Sequence, residues 1–345
     1  MSHYYCVLKK ILLIRFSSIG DIVLTTPVVR CLRRQLPEVE LHVLTKASYH
    51  SLYAHNPNIN KVFDLGKSLK EVLPQLKRER YDFVVDLHKN WRSWRVRMAL
   101  RCPSASFPKL DFRKFLYTKL KIGTMPQMHI VDRYFKAVER LGVGNDGLGL
   151  DFFFSAGDEL RHEDFPEPFC DGFVAVVIGG QHATKILPAD KVAEVCEALD
   201  YPVLLVGGPE DRARAEWIVQ KMGKNIGNYC GCLTLGQSAY LLKLADAVLT
   251  NDTGMMHIAA ALRKPIVSVW GNTVPEFGMF PYLPQGMTPA AIVENKSLRC
   301  RPCDKLGYDK CPQGHFACMN SLETKEIVEK IKAGLSPGFC GTSGN

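Results

Sequence analysis

Four polar or small residues, Asn251, Asp252, Thr253 and Gly254, follow a short apolar run at 247–250. The run is typical of a buried strand, and a helix with small apolar residues follows the polar group. In a doubly wound sheet, ligands bind where strands end in loops, and free amides at a helix start attract anions. Asp252 can also accept the hydroxyl groups of a sugar. An N-cap and a tight turn without a ligand have the same pattern, so both interpretations stay open.

Two further loops place charged residues near predicted helix starts. Lys185 and Thr184 follow the predicted strand at 173–178, and Pro188 begins the next predicted helix. A diphosphate leaving group needs such a cation and such amides. Glu210 follows two glycines at another strand end, where an acid can hold a ribose diol. A solvated loop lysine and a first-turn helix acid are the alternative interpretations.

A single carboxylate, Asp21, lies where the first predicted strand hands over to the first helix. Because this position borders the ligand crevice of a parallel sheet, the carboxylate can take a proton from an attacking hydroxyl. Its alternative role is to cap the helix that is predicted to begin at Ile22.

Basic residues follow the fourth predicted strand, and they are Lys89, Arg92, Arg95 and Arg97. Arg92 and Arg95 are spaced to share one face of a helix. Forked guanidinium groups suit phosphate or carboxylate groups on an acceptor. A nucleic-acid surface is the rival interpretation, but no recognised nucleic-acid motif supports it.

The net charge of +9 is unevenly distributed along the 345 residues. Residues 1–150 carry 26 Lys and Arg against 12 Asp and Glu, which gives +14. Residues 151–345 carry 18 against 23, which gives −5. A basic half joined to a mildly acidic half indicates that the first half meets an anionic partner, with solvated helix faces as the alternative.

The pattern of apolar runs predicts an α/β fold. Strands are predicted at 11–14, 41–45, 62–65, 83–87, 173–178, 203–206, 247–250 and 266–270, and helices at 22–36, 111–121, 130–141, 188–199, 210–222 and 234–245. Alternation of this kind is typical of parallel sheets. We therefore predict two Rossmann-like domains with a cleft between them. The first spans 1–155, a linker 156–171, the second 172–322, and a C-terminal helix and tail 323–345.

Several protein classes are disfavoured. No G-x-G-x-x-G follows the first strand, which argues against a dinucleotide-dependent dehydrogenase, and no Walker-type motif is present. No apolar run approaches the roughly 18 residues of a membrane span. The start of the chain has neither the long apolar core nor the cleavage site of a secretory signal. We therefore expect a cytoplasmic protein whose 12 cysteines are mostly reduced.

Four cysteines lie close together in the sequence, and they are Cys300, Cys303, Cys311 and Cys318. A C-x2-C pair followed by two more cysteines resembles the ligand spacing of a structural zinc site, within a Cys-rich loop at 300–318. The later spacings depart from the common zinc-ribbon pairing. A loop staple or plain buried thiols are the alternatives.

Two long motifs resemble those of the ADP-heptose:lipopolysaccharide heptosyltransferases, glycosyltransferase family 9. Residues 15–27 (RFSSIGDIVLTTP) resemble that family's first-strand signature, and residues 251–257 (NDTGMMH) resemble its donor-site signature. The segments 185–188 and 206–210 fall where the family has its phosphate lysine and its ribose acid. Since the motifs occur in the right order and spacing, the resemblance is specific.

The resemblance implies a GT-B fold and an inverting transfer of heptose from ADP-heptose to the inner core of a lipopolysaccharide precursor, with no cofactor required for catalysis. It implies that Asp21 is the general base and that Lys185 steadies the departing diphosphate. The donor-binding residues that we predict are Ser18, Gly20, Thr184, Lys185, Glu210, Asp252, Thr253, Gly254 and His257. Lys89, Arg92 and Arg95 are expected to hold a phosphorylated, lipid-linked saccharide acceptor, with peripheral contact to the inner membrane and no nucleic-acid partner.

The sequence departs from the family pattern beside the donor motifs. Ile186 stands where many members have Trp after the phosphate lysine, and Asn272 stands within a segment that is often Gly-Pro-Thr. The exact sugar, and to a lesser extent the base, therefore stay open. A nucleotide-sugar epimerase on the same fold is the nearest alternative function, and a nucleic-acid-binding protein with a cysteine-bound metal is a more distant one.

Overall fold

The computed structural model of the protein describes residues 8–335. This part of the chain forms two compact units, residues 8–110 with 128–153 and residues 111–127 with 154–335. Residues 111–127, which chain order assigns to the first predicted domain, thus pack with the second unit. The predicted tail at 336–345 lies outside the described residues.

Five described strands of the first unit form a parallel sheet in the order β3-β2-β1-β4-β5. Their bounds are β1 Lys10–Ile14, β2 Glu40–Lys46, β3 Lys61–Leu65, β4 Phe83–Asp86 and β5 Ser104–Ser106. Strands β1 to β4 are predicted by their apolar runs, whereas the short polar β5 is not. The strand order reverses between β1 and β4, so ligands are expected at the carboxyl ends of these two strands.

The helices of the first unit are α1 Ile19–Val23, α2 Thr26–Gln35, α3 Ser51–Ala54, α4 Leu69–Glu79, α5 Trp91–Leu100 and α7 Ile130–Phe135. Helix α6, Asp111–Phe115, belongs to the second unit. The prediction of one helix at 22–36 is wrong, because the helix is interrupted at Thr25 and two helices form instead. Thr25 Oγ1 donates to the carbonyl of Ile22 at 2.7 Å and closes α1. Pro27 then lies in the first turn of α2, where its missing amide leaves no helical hydrogen bond unmade.

A buried arginine ties α2 to the loop that ends the first unit. Arg30 is 4% exposed, and its guanidinium donates to both carboxylate oxygens of Asp146 at 2.7 and 2.8 Å and to the carbonyl of Gly149 at 2.9 Å. Asp151 pairs with the same guanidinium. The hydrogen bonds from Arg30 lower the pKa of Asp146 to about 2, against the opposing effect of burial.

We expect the Asp146→Asn variant to lose about 1–2 kcal/mol of unfolding free energy at pH 7, because the folded pKa lies below the ordinary value of 3.8. This contribution is present above about pH 4 and is lost as the pH falls towards 2. Denaturant unfolding between pH 3 and 7 measures it, with Asp190→Asn, an exposed aspartate of the second unit, as control. A difference that does not shrink towards pH 3 would show that the ion pair is not its source.

Six described strands of the second unit form a parallel sheet in the order β11-β10-β9-β6-β7-β8. Their bounds are β6 Val174–Val177, β7 Val203–Val206, β8 Ile226–Asn228, β9 Ala247–Asn251, β10 Ile266–Trp270 and β11 Ala291–Glu294. Counted from β6, this is the usual strand order of a dinucleotide-binding fold, with its switch point between β6 and β9. The predicted Rossmann-like scheme is confirmed for this unit.

The helices of the second unit are α6 Asp111–Phe115, α8 Ala189–Leu199, α9 Arg212–Met222, α10 Leu235–Leu244, α11 Gly254–Ala261, α12 Ala317–Asn320 and α13 Thr324–Leu335. Helix α13, the C-terminal helix predicted after residue 322, packs on α8 and on the sheet. Its buried Ile327 and Ile331 belong to the same core as Val176 and Leu249 of the central strands. None of the described helices is long and apolar enough to cross a membrane.

The segment 111–127 is fastened to the Cys-rich loop by basic side chains. Lys121 Nζ donates to the carbonyl of Cys300 at 2.9 Å and to that of Pro302, and Lys119 Nζ donates to the hydroxyl of Tyr308 at 2.9 Å. Helix α6 runs into a π-helical turn at Leu116–Leu120. The predicted helix at 111–121 is therefore confirmed in place but is irregular in form.

Candidate active site

The centre of the second unit's site is an ion pair at the switch point. Lys185 lies in the loop after β6, and Asp252 lies in the loop after β9. Lys185 Nζ is 2.6 Å from Asp252 Oδ2, and the two side chains are 17% and 10% exposed. Thr273, after β10, donates its hydroxyl to the same oxygen at 2.8 Å. Three neighbouring strand ends thus meet at one carboxylate.

Asn251, the last residue of β9, fixes the two loops relative to each other. Its side-chain amide donates to the carbonyls of Val177 and Gly179 at 3.1 and 3.3 Å, and its oxygen accepts the amide of Leu187 at 3.0 Å. The residue is 1% exposed. The sequence predicts Asn251 only as a helix cap, because these partners lie far away along the chain.

Helix α11 begins directly behind the ion pair. Thr253 is its N-cap residue in an extended conformation, and its side chain makes no capping hydrogen bond. Thr253 Oγ1 is buried without a hydrogen-bond partner in the described part of the chain. Gly254 opens the helix, and His257, one turn on, is 2% exposed. The unused amides and hydroxyl next to Lys185 are suited to an anionic group.

Two acids, Glu210 and Asp211, follow β7. The sequence predicts a role only for Glu210, either as an acid that holds a ribose diol or as a first-turn helix acid. Glu210 is exposed, whereas Asp211 is 4% exposed and accepts the amide of Gly208 at 2.9 Å. A Cβ on Gly179 or Gly207 would lie 2.5 or 2.7 Å from Asp211 Oδ2. Burial raises the pKa of Asp211, and the Gly208 amide opposes this shift. Asp211 therefore shapes the glycine loop, and Glu210 is left free to meet solvent or a ligand.

Asp21 lies at the carboxyl end of β1, but inside a helix rather than before it. Helix α1 begins at Ile19 and not at Ile22, with Ser18 as its N-cap residue. Asp21 therefore does not precede the helix, but it has a capping role in its first turn, where its carboxylate accepts a hydrogen bond from the amide of Ser18. Asp21 Oδ2 accepts the hydroxyl and the amide of Ser18 at 3.0 and 3.3 Å. Its other oxygen, Oδ1, lies 2.6 Å from Nη2 of Arg15.

Arg15 controls the charge state of Asp21. The guanidinium is held by the carbonyls of Ser17 and Leu87 and by the hydroxyl of Tyr134. Burial alone would raise the pKa of Asp21, but the Arg15 cation and the Ser18 hydrogen bonds lower it below its ordinary value. The side chain is 26% exposed, so an ionised and accessible carboxylate is present at neutral pH. The sequence places Arg15 within a motif but predicts no role for it.

The predicted acceptor residues follow β4, the strand beside β1. Lys89 Nζ donates to the carbonyl of Phe107 at 3.0 Å. The guanidinium carbons of Arg92 and Arg95 lie 5.9 and 5.6 Å from the ring centre of Trp91, on the outer face of α5. The arginines thus share one helix face, as their spacing predicts, whereas Lys89 is engaged within its own unit.

His88, a histidine without a predicted role, follows β4 and lies near Arg15 and Asp21. The His88 ring centre is 4.7 Å from that of Phe16, and burial, together with the Arg15 charge, lowers its pKa to about 3. His88 is therefore neutral at physiological pH and adds no positive charge beside Asp21. No single-sequence pattern distinguishes it from an ordinary core histidine.

Residues 70–306 match the sequence model of glycosyltransferase family 9 (heptosyltransferase). The chain belongs to this family. It is 24% identical to lipooligosaccharide heptosyltransferase 2 of Haemophilus influenzae over 93% of this chain and 98% of that protein. Its fold is similar to a family 9 glycosyl transferase from Veillonella parvula, with a TM-score of 0.75, 22% identity and 95% and 97% of the two chains covered. It is also similar to E. coli ADP-heptose lps heptosyltransferase II, with a TM-score of 0.70, 20% identity and coverage of 94% and 98%.

The family assignment confirms the resemblance and the predicted class of enzyme. The protein is a family 9 glycosyltransferase, and its two parallel sheets with flanking helices make a GT-B fold. The polar residues after β6 and β9 and the carboxylate after β1 are therefore candidates for the donor site and the base of this enzyme. The roles of the individual residues stay predictions.

The four cysteines of the Cys-rich loop lie in one neighbourhood, because the thiol of Cys318 interacts electrostatically with those of Cys300, Cys303 and Cys311. Zinc–thiolate bonds of about 2.3 Å require the sulfur atoms to lie close together. No three of Cys300, Cys303, Cys311 and Cys318 have sulfur atoms within 4.8 Å of one another. Burial raises the pKa of Cys303 and Cys318 to about 11.

The structural zinc site therefore stays a prediction, and elemental analysis can test it directly. Elemental analysis of purified protein should find about one zinc per chain if the thiols rearrange around a metal, and the Cys303→Ser variant should then lose both metal and stability. Metal-free protein with an unchanged melting temperature in Cys303→Ser would dismiss the site.

One other group of possible ligands is already neutralised. Among residues 8–335, Glu40, His42 and Glu79 are the group whose ligand atoms lie within 4.8 Å of one another. Lys10 Nζ lies 2.9 Å from Glu40 and 2.6 Å from Glu79, and Lys61 lies 2.7 Å from Glu79. The cluster occupies the amino ends of β1 and β2, opposite to Asp21. Its carboxylates are balanced by lysines, so we interpret it as an ion-pair network.

Proposed function

We propose that this enzyme transfers a heptose from ADP-heptose to the inner core of a lipopolysaccharide precursor, in the cytoplasm. The observation that carries the proposal is the Lys185–Asp252 pair at the switch point beside the start of α11. A cation, free helix amides and a carboxylate in one place match a diphosphate joined to a sugar. The similarity to an enzyme named ADP-heptose lps heptosyltransferase II supports the choice of donor.

In the proposed donor complex, the diphosphate binds the Lys185 ammonium group and accepts hydrogen bonds from the amides of Thr253 and Gly254. Asp252 is then free to accept hydrogen bonds from sugar hydroxyls. Thr184 precedes Lys185, but its hydroxyl already donates to the carbonyl of Tyr308 at 3.0 Å, and His257 lies in α11. Glu210, exposed at the end of β7, holds the ribose diol. Asn251 and Asp211 are positioning residues, because their hydrogen bonds set the loops and not the ligand.

In the proposed reaction, the acceptor hydroxyl attacks the anomeric carbon and gives its proton to Asp21. The Arg15 cation and the Ser18 amide keep Asp21 ionised before the attack. Lys185 stabilises the negative charge that develops on the departing ADP. One displacement of this kind inverts the anomeric configuration, and no cofactor takes part in the steps assigned to these residues.

The proposal is tested by supplying labelled ADP-heptose together with lipid-linked inner-core acceptors, one without a heptose and one that already carries a heptose. We expect the label to appear in the lipid and an equal amount of ADP to be released. Release of an epimerised nucleotide sugar, with no label in the acceptor, would instead support the epimerase alternative.

The acceptor assignment has its own test in the Arg92→Ala, Arg95→Ala double variant. Because both arginines are exposed on the outer face of α5, each lost charged contact should cost about 0.2–1 kcal/mol, and the acceptor KM should rise while the donor KM holds. Rising salt should weaken acceptor use in the wild type as well. The matched control is Arg101→Ala, which changes a basic residue just after α5. A rise in the donor KM with an unchanged acceptor KM would reverse the assignment of the two units.

A further inference from the structure

Helix α5 exposes a row of large apolar side chains that the proposed chemistry does not use. Trp91, Trp94 and Met98 are 62%, 56% and 51% exposed. Their spacing of three and four residues places them on one side of the helix, whereas Ser93 and Val96 are fully buried on the other. We call Trp91, Trp94 and Met98 the aromatic face.

The aromatic face is surrounded by positive charge. Arg92 and Arg95 stack beside the Trp91 ring. The stretch 87–110 contains six Lys and Arg and no Asp or Glu. Exposed tryptophans interleaved with arginines, on a helix without acidic residues, are typical of a surface that enters the headgroup region of an anionic membrane.

The other two tryptophans of the chain differ from this pair. Trp270 is 1% exposed in the second unit's sheet, and Trp217 is 42% exposed on α9. Trp217 is covered on one side by the Lys221 ammonium group at 4.9 Å. Two half-exposed tryptophans one turn apart are therefore a local feature of α5 and not the general state of this protein's aromatic residues.

We propose that the aromatic face of α5 docks this enzyme on an anionic phospholipid surface. Helix α5 begins just after β4, next to the β1–β4 switch point where Asp21 lies, so docking would bring lipid near the carboxyl ends of these strands. That placement suits an acceptor whose saccharide is anchored in a membrane. The proposal rests on the proposed function only for the lipid-linked acceptor, since the exposure and charge of α5 stand without it.

The experiment is flotation of the full chain with vesicles of phosphatidylethanolamine containing phosphatidylglycerol. Wild-type protein should float with these vesicles at low salt, less at high salt, and little with purely zwitterionic vesicles. The Trp91→Ala, Trp94→Ala variant should bind about tenfold or more weakly, because it loses two apolar side chains that the lipid would bury. Trp217→Ala is the matched control and should bind as wild type does.

A second readout separates docking from folding and from catalysis. With the acceptor in vesicles, the double tryptophan variant should show a higher acceptor KM. With an acceptor stripped of its acyl chains, its kcat/KM should equal the wild-type value, and its melting temperature should be unchanged. Vesicle binding by a protein that transfers no sugar would leave the docking surface standing and overturn the proposed function.

Three results would overturn the docking proposal. The first is vesicle binding by the double variant that equals wild type. The second is equal binding to anionic and zwitterionic vesicles. The third is a wild-type dimer in light scattering that the double variant converts to monomer, since the face would then contact a second copy.

Discussion

The Asp21→Asn variant should retain its fold and its affinity for ADP-heptose but lose transfer activity by about 10²–10⁴-fold in kcat, the usual effect of removing a general base. The amide preserves the shape of the side chain and its contact with Ser18. It has no negative charge to take up the acceptor proton or to pair with Arg15, whose guanidinium lies 2.6 Å away. The measurement is single-turnover transfer with saturating donor and acceptor.

The Asp21→Asn variant also removes the ion-pair partner of Arg15, so its effect on stability has to be measured alongside activity. Arg15 keeps its hydrogen bonds to Ser17, Leu87 and Tyr134, so the fold should be retained, but the lost ion pair should lower the melting temperature. Asp64→Asn removes an exposed carboxylate of the same unit that pairs with His50, and it should be fully active. If kcat of Asp21→Asn stays near the wild-type value, Asp21 only closes the turn at Ser18, and the proposed base is wrong.

The Lys185→Met variant should lower kcat by about 10²–10³-fold, which is typical when one group that stabilises developing charge is removed. Its donor KM should rise as well. Asp252 would then face the diphosphate without its cation, so two negative groups would repel each other in a largely buried place. Steady-state kinetics with the donor varied at saturating acceptor measures both effects.

Lys191→Met is a matched control for the donor lysine. Lys191 is also largely buried, with 18% of its side chain exposed against 17% for Lys185, but it pairs with Glu194 on α8. It should leave both kinetic constants unchanged. Equal effects of the two substitutions would mean that Lys185 acts through the stability of its unit and not through the leaving group.

Most strands could be predicted because their signal is local. A buried parallel strand is a continuous apolar run, and the runs at 11–14, 83–87 and 247–250 all form strands at the expected places. Strand β5 has the sequence Ser-Ala-Ser, and it pairs with β4 through backbone hydrogen bonds that any residues can make. The break between α1 and α2 was missed because the pattern of apolar residues continues across it.

The site was predictable in its motifs but not in its internal contacts. Loops that follow strands in a doubly wound sheet must meet at one edge, which brings Lys185 to Asp252 across 67 residues. Which side chains then stabilise those loops depends on geometry that no short pattern encodes. Arg15, Asn251 and Asp211 each act through partners in other loops or through backbone groups, and each was found only in the structure.

The segment 111–127 shows a second limit of sequence-based prediction. Its order in the chain favours the first domain. In the structure, however, Lys119 and Lys121 bind the Cys-rich loop of the second unit, and the Tyr117 ring contacts that of Phe277. Chain order does not predict such a crossing. The four cysteines show that closeness in sequence does not fix distances either. Among the described residues, no three of their sulfur atoms lie within 4.8 Å of one another.

The most direct measurement of the proposed mechanism is the anomeric configuration of the transferred sugar, determined by NMR on the purified product. A single attack assisted by Asp21 gives a product whose anomeric configuration is opposite to that of ADP-heptose. The Asp21→Asn variant should form about 10²–10⁴-fold less product in the same time, and the product of wild type should be entirely inverted. A product with the donor's configuration would require two successive displacements and would contradict the assignment of Asp21 as the base of a one-step transfer.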